Sequence, residues 1–216
     1  MTSTLRRRPA QRRSVERVER MLDECALLLD QVGYDALTTK EVARRAEVPI
    51  GTFYQFFSDK QGLVRALAVR NLEAFLTRVT ERIATADLAH WTDLVELAVD
   101  EFVEMKRTTP GFAVVDFGEV LPTHGGPPLQ GTKRSLDTAL DNNVIVADRL
   151  RSLVLDLISR TGDVPAGPGL DRALLVAVEA TDAVLKLAFR VHPEGDPDLI
   201  VETKRLVRRY LSEHLS

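Results

Sequence analysis

A single cysteine, Cys25, stands among the 216 residues, so neither an intrachain disulfide nor a cysteine-rich zinc site can form. Histidine is nearly as scarce. His90, His124, His192 and His214 are scattered, and no two share the i, i+4 spacing of a helical zinc site, so no metal centre is expected. No uncharged apolar run reaches the ~18 residues that a membrane span requires. The opening stretch, Thr2 to Arg13, is basic and polar with no apolar run behind it. That is not a signal peptide and, with the lone thiol, it suits a reducing cytoplasm. The motifs GxSxG, GxGxxG and GxxxxGKS/T are all missing, which weakens an enzyme reading. Positive charge is not in excess either: 29 Lys and Arg face 32 Asp and Glu, a net charge of −3. Taken alone, that balance argues against nucleic acid, whose phosphates are bound largely by Lys and Arg.

The average conceals a gradient. Residues 1–60 hold 11 Lys and Arg against 9 Asp and Glu, a net of +2, whereas residues 61–216 hold 18 against 23, a net of −5. Residues 1–20 alone carry seven Arg and two Glu. This arm, with Arg6-Arg7-Arg8 and Arg12-Arg13, reads either as a solvated disordered tail or as an element reaching a phosphate or a minor groove. With 44% hydrophobic residues, the rest is apolar enough to bury a sizeable core.

What is present is helical periodicity. Val15, Val18, Leu22, Cys25, Leu29 and Val32 recur at steps of three and four, one stripe on a helix over Ser14–Val32 that Gly33 should end. Thr38-Thr39-Lys40-Glu41 has capping-box spacing and predicts a short helix from there to Ala46. Pro49 suits the first turn of the next, Ile50–Phe57, which holds four of the chain's eleven Phe and Tyr. Phe53, Phe56 and Phe57 are expected in the core. Ser58-Asp59-Lys60-Gln61 repeats the capping-box spacing and opens a long helix to about Ile83. Further helices are predicted over Trp91–Arg107, a short segment from Thr109 to Glu119, then Thr132–Arg160, Leu170–Val191 and Asp198–Leu215. Residues 121–131 and 161–169, rich in Pro and Gly, read as connections. No strand alternation or internal repeat occurs, so the fold class is all-α.

A short brace helix, a tight turn and a second short helix make a candidate helix-turn-helix, the arrangement that places a helix end in the major groove. The run LTTKEVARRAEVPIGTFYQFFSDKQGLV, Leu37 to Val64, resembles the DNA-binding signature of the tetracycline-repressor (TetR) family of bacterial regulators. The shared elements are the paired Thr, Val-Ala-x-x-Ala, Gly-Thr-Phe-Tyr, the following Phe, and Ser-x-Lys. The resemblance implies a three-helix DNA-binding domain over 14–62, preceded by the arm at 1–13. A long fourth helix would join it to a helical effector-binding and dimerisation domain over 63–216.

Matched position by position, the resemblance places Thr38 or Thr39, together with Lys40, on phosphates at the start of the brace helix. Gly51, Thr52 and Tyr54 would lie against the duplex, and Ile50 and Gln55, at variable positions, would read bases. Lys60 would meet a phosphate with the amides of its helix start. Two departures stand out: Glu47 occupies a turn position where the family usually has Gly, and Pro49 one where it often has Ser. In a left-handed conformation Glu47 would cost about 1–2 kcal/mol.

The same resemblance implies a homodimer through the last two helices on double-stranded, palindromic operator DNA. In the last helix Leu199, Thr203, Leu206, Val207, Tyr210 and Leu211 form an apolar face, with Lys204, Arg205, Arg208 and Arg209 turned to water. The preceding helix is apolar almost all round, with Glu179, Asp182 and Lys186 on one face. A small effector, lipophilic or aromatic, is expected, and Trp91, Phe102, Met105, Phe112, Phe117 and Asn143 are candidate lining residues, each also readable as plain core. No other cofactor and no membrane partner are expected. The leading reading is a homodimeric, ligand-responsive repressor. The alternatives are a ligand-independent DNA-binding dimer whose C-terminal half senses a protein partner, and a helical small-molecule-binding protein or enzyme.

Overall fold

The computed structural model describes residues 7–86, 88–117, 142–161 and 169–215. The Pro/Gly-rich loop at 121–131, the start of the helix expected from Thr132, and most of the 161–169 connection lie outside these residues. Among the described residues are eight helices and no strand: α1 (Arg7–Ala36), α2 (Thr39–Arg45), α3 (Ile50–Phe56), α4 (Lys60–Thr85), α5 (Trp91–Thr108), α6 (Asn142–Thr161), α7 (Leu170–Val191) and α8 (Pro197–Ser212). The fold is all-α. None of these helices is long and apolar enough to cross a membrane.

The chain divides into two compact units, Met1–Asn71 with Thr109–Asp137, and Leu72–Thr108 with Thr138–Ser216. The division falls within α4, beyond residue 62, and the segment following α5 belongs with the first unit. In that unit α1 begins at Arg7, so residues 7–13 of the basic arm are helical. Gly33 interrupts α1 with φ 71° and ψ 178°, a conformation that glycine adopts without a Cβ penalty. Of the apolar stripe, Leu22, Cys25 and Leu29 are buried, whereas Val15 and Val32 remain about half exposed. Burial pushes the Cys25 thiol up to about 12, leaving it a small hydrophobe without a reactive thiolate.

Thr38 caps α2, its hydroxyl accepting the Glu41 amide at 3.2 Å. The Glu41 carboxylate does not return to the cap. It is held bidentately by Arg44 (2.9 and 2.7 Å) and by Arg45 (3.2 Å). The turn that follows is a Schellman motif. The Val48 amide donates to the Ala43 carbonyl (2.9 Å) and the Glu47 amide to that of Arg44 (3.3 Å). Glu47 takes the left-handed position at φ 55°, the one positive-φ non-glycine among the described residues. Val48 and Ala43 are both buried, closing the motif's hydrophobic contact.

Pro49 precedes α3, and its carbonyl accepts the first amides of that helix, from Thr52 (2.8 Å) and Phe53 (3.0 Å). At the start of α4 the acceptor is Asp59, one residue after the expected Ser58: its Oδ1 takes the Gly62 amide at 2.7 Å. Phe53, fully buried, and Phe57 join Leu29, Val42, Leu63 and Leu67 in one core, with Phe56 packed at its edge.

Val114 and Val115 enter that same core. They belong to residues 109–117, which form successive turns in place of the expected short helix. Gly111 there has φ 74°, and a Cβ on it would lie 2.9 Å from the Ala26 Cα. The Gly111 amide donates to Asp30 Oδ2 (2.9 Å), and buried Asn71 donates to the Val115 carbonyl (3.1 Å). A side chain at 111 would break this close approach to α1, so glycine is required for packing as well as for φ.

In the second unit Phe75 meets Phe102 edge-on, with ring centres 6.2 Å apart, and α7 packs chiefly on α8 and α6. The buried Glu101 carboxylate is paired with Arg78 (3.1 Å) and Arg82 (3.0 Å). Asp196 caps α8 through the Leu199 amide (2.9 Å). On α8 the structure corrects the sequence-based face: Lys204 is mostly buried and bridges Glu96 (2.9 Å) and Asp100 (2.6 Å) of α5, joined by Arg208 on Glu96 (2.9 Å). Leu206, on the expected apolar face, is 47% exposed in the single chain. Helical periodicity alone could not anticipate a partner helix that offers carboxylates to a lysine.

Candidate nucleic-acid interface

The brace helix α2 and the aromatic helix α3 form a surface whose inner side is hydrophobic and whose outer side carries the sequence-predicted residues. Phe53 and Phe57 anchor α3 in the core, which leaves Gly51 and Gln55 on the opposite side, Tyr54 on the flank and Ile50 at the open start of the helix. All four are exposed, Ile50 by 44% and Tyr54 by 54%. Thr52 is half-buried. A Cβ added to Gly51 would meet nothing within 4 Å, so nothing inside the protein demands glycine there. An apolar isoleucine and a phenol left in water beside a bare backbone suit contact with a second macromolecule.

Thr39 is half-buried, and its hydroxyl lies 3.2 Å from the Tyr54 hydroxyl. This tie joins the first turn of α2 to the outer face of α3 and fixes where the phenol points. Thr38 and Lys40 are exposed at the same end of α2, but the Thr38 hydroxyl already serves the Glu41 amide. The Arg44 guanidinium, with Arg45 behind it, holds the Glu41 carboxyl down at about 2, so the anion persists and keeps both arginines engaged.

Lys60 is placed differently from its neighbours. Its ammonium donates to the Tyr34 carbonyl at 2.9 Å and, at longer range, to that of Asp35 (3.4 Å). It also lies 4.4 Å from the Tyr34 ring centre. Gly33 breaks α1 just before these carbonyls, of which that of Tyr34 also accepts the Leu37 amide (3.3 Å), and a cation at a helix C-terminus complements the helix dipole. Lys60 is therefore a clamp between the end of α1 and the start of α4. The pattern Ser-x-Lys locates this lysine but says nothing of the carbonyls it binds.

The six candidate effector residues are divided between the two units. Trp91, Phe102 and Met105 are buried on α5 and Asn143 is half-buried on α6, all in the second unit. Phe112, fully buried, and Phe117 belong to the first unit, where their rings meet at 5.4 Å. The turns at 109–117 with Asp30 and Asn71 were missed by sequence reasoning. No local pattern marks a contact so distant along the chain.

Comparison with known proteins places this surface in context. Residues 22–67 match the family model "Bacterial regulatory proteins, tetR family", and residues 89–215 match "Tetracyclin repressor-like, C-terminal domain". A TetR-family transcriptional regulator from Streptomyces coelicolor, solved by crystallography, is 43% identical with a TM-score of 0.72, covering 92% of this chain and 99% of that one. The transcriptional repressor KstR of Rhodococcus jostii is 36% identical over 63 residues, 29% of this chain and 30% of that protein. The first curated relatives are thus matched over only 26–30% of their own length. RolR, solved in complex with resorcinol, shares the fold at 18% identity and a TM-score of 0.58, covering 96% of this chain and 98% of that one.

Proposed function

The chain belongs to the tetracycline-repressor family of bacterial DNA-binding transcriptional regulators, and from that premise we propose that it is a homodimeric, ligand-responsive repressor that a small effector releases from a palindromic operator. The observation that carries this reading is the outer face of α3. Ile50, Gly51, Tyr54 and Gln55 are exposed while Phe53 and Phe57 lock the helix into its domain. Gly51 lets a phosphate backbone approach closely, Tyr54 donates to phosphate, and Gln55 has the fork that pairs with adenine. Thr39 orients Tyr54 for that contact.

A single reading helix selects weakly, and two-fold pairing supplies the second half-site. Val176 and Val191 on α7 and Val201 and Leu206 on α8 stay 44–59% exposed, which supports dimerisation through the last two helices. RolR, of the same fold, was solved with the small aromatic ligand resorcinol, and this supports a small aromatic or lipophilic effector for the C-terminal half. Effector binding there would displace α4 beyond Lys60, alter the separation of the two reading helices and so lower operator affinity.

Selection of a sequence from random duplexes at moderate salt tests the reading. The expected product is a palindrome bound by a species of twice the 24.1 kDa chain mass, with binding lost in Tyr54→Ala. No enriched sequence, or unimpaired binding by Tyr54→Ala, would refute it.

A further inference from the structure

We propose that the N-terminal half of α1 is a second phosphate-binding surface, in which Arg13, Arg17 and Arg20 run along the DNA backbone beside the base-reading helix. The proposal rests on the duplex-binding reading above and adds a contact surface to it.

The spacing i, i+4, i+7 puts the three guanidiniums on one face of a continuous helix, since α1 begins at Arg7. All three are exposed. Their charge is also uncommitted: among the described residues none of the three enters an ion pair, in contrast with the other arginines nearby. Arg12 is held by Glu16 (2.9 Å), Arg44 and Arg45 by Glu41, and Arg70 by Asp23 (2.7 Å) and Glu19 (3.2 Å). The same pairs occupy the acids closest to the stripe, because Glu16, Glu19 and Asp23 are each bound by an arginine outside it. Glu24, one turn beyond Arg20, ends the stripe.

The stripe adjoins the reading helix. Arg20 lines a surface recess together with Asp23 (held by Arg70), Glu24, Arg45, Ala46 and Glu47, the last of which belongs to the turn leading into Ile50. Arg13 and Arg17 line the next recess along α1, again with Arg20 and with the arginine-paired Glu16 and Glu19. At 1.5 Å per residue, Arg13 and Arg20 lie about 10 Å apart along the helix. The backbone winds around the duplex axis, so its phosphates lie farther apart in space than their ~3.4 Å axial rise, and a row of this length reaches at least two of them. Arginine's planar fork pairs bidentately with such an anion.

The test compares full-length protein with the Arg13→Gln/Arg17→Gln/Arg20→Gln variant on a fluorescein-labelled duplex of mixed sequence, about 40 base pairs long, across roughly 50–250 mM KCl. The variant should melt like wild type, because it loses no ion pair. Its log Kd against log salt slope should fall by about 2–3 per bound subunit, with affinity reduced roughly 10–100-fold at low salt. The Arg→Lys triple variant should keep the wild-type slope. An unchanged slope in the Gln variant, with wild type still binding, would overturn the stripe and leave the regulator reading intact, whereas absence of any wild-type binding would sink that reading itself. Loss of binding confined to phosphatidylglycerol vesicles, with duplex binding unaffected, would reassign the stripe to a membrane surface and also overturn the proposal.

Discussion

Replacing Glu47 by glycine should stabilise the helix-turn-helix unit by about 0.5–1 kcal/mol. The residue sits at φ 55° in the turn between α2 and α3, and a Cβ in that conformation costs about 1–2 kcal/mol. Glycine removes this strain but gives the unfolded chain more freedom, which returns about 0.4–1 kcal/mol. Both turn hydrogen bonds, Val48 to Ala43 and Glu47 to Arg44, involve main chain only and survive the change. Trp91 lies in the other unit, so its fluorescence is a poor probe of this one. Urea unfolding followed by far-UV circular dichroism, together with amide exchange at Val48, reads the effect directly. The expected result is a higher midpoint at constant m-value and slower exchange. Glu47→Ala is the control: it deletes the same charge but keeps the Cβ, so its midpoint should stay near wild type. If alanine and glycine stabilise equally, backbone strain is not the cause and the reasoning is refuted.

Gly111→Ala should destabilise the first unit by about 2–4 kcal/mol, since it combines a positive φ with a Cβ 2.9 Å from the Ala26 backbone; a melting temperature within a degree or so of wild type would contradict the close approach. Asp30 supplies a pH test. Burial raises its carboxyl above the usual 3.8, with the Gly111 amide only partly opposing. The folded state therefore holds this proton to higher pH than the unfolded state does, and stability is lost as pH rises through the raised value. Asp30→Asn keeps an acceptor for Gly111 without the charge. It should match or exceed wild-type stability at neutral pH, with any advantage shrinking as pH falls toward ~4; urea midpoints at both pH values decide, and an advantage that persists in acid would count against it.

Much of the first unit was legible because its signals are local. Gly33 ends the regular helix, Thr38 caps α2, and Phe53 and Phe57 are buried, each as spacing and residue type foretell. Glu47 was legible as a departure from the family pattern, and the structure shows it left-handed. The misses share one cause. Asp59 in place of Ser58 is a choice between adjacent acceptors that geometry makes. Lys204 faces carboxylates on α5, and residues 109–117 join the core of residues far earlier in the chain. Each depends on what lies opposite in space, which periodicity does not encode.

By itself the sequence determined the all-α class, the helix-turn-helix and the family, because helical periodicity, caps and the Leu37–Val64 run are short-range properties that survive without a partner. Only the tertiary structure decided which charges are spent and which are free. An ion pair is settled by distances of a few ångströms, within one helix turn for Arg12 and Arg44 and between elements remote in the chain for Arg70. Composition counts Arg12, Arg70 and Arg44 the same as Arg13, Arg17 and Arg20, yet the first three are neutralised by neighbouring carboxylates and the last three stand in an open row on α1.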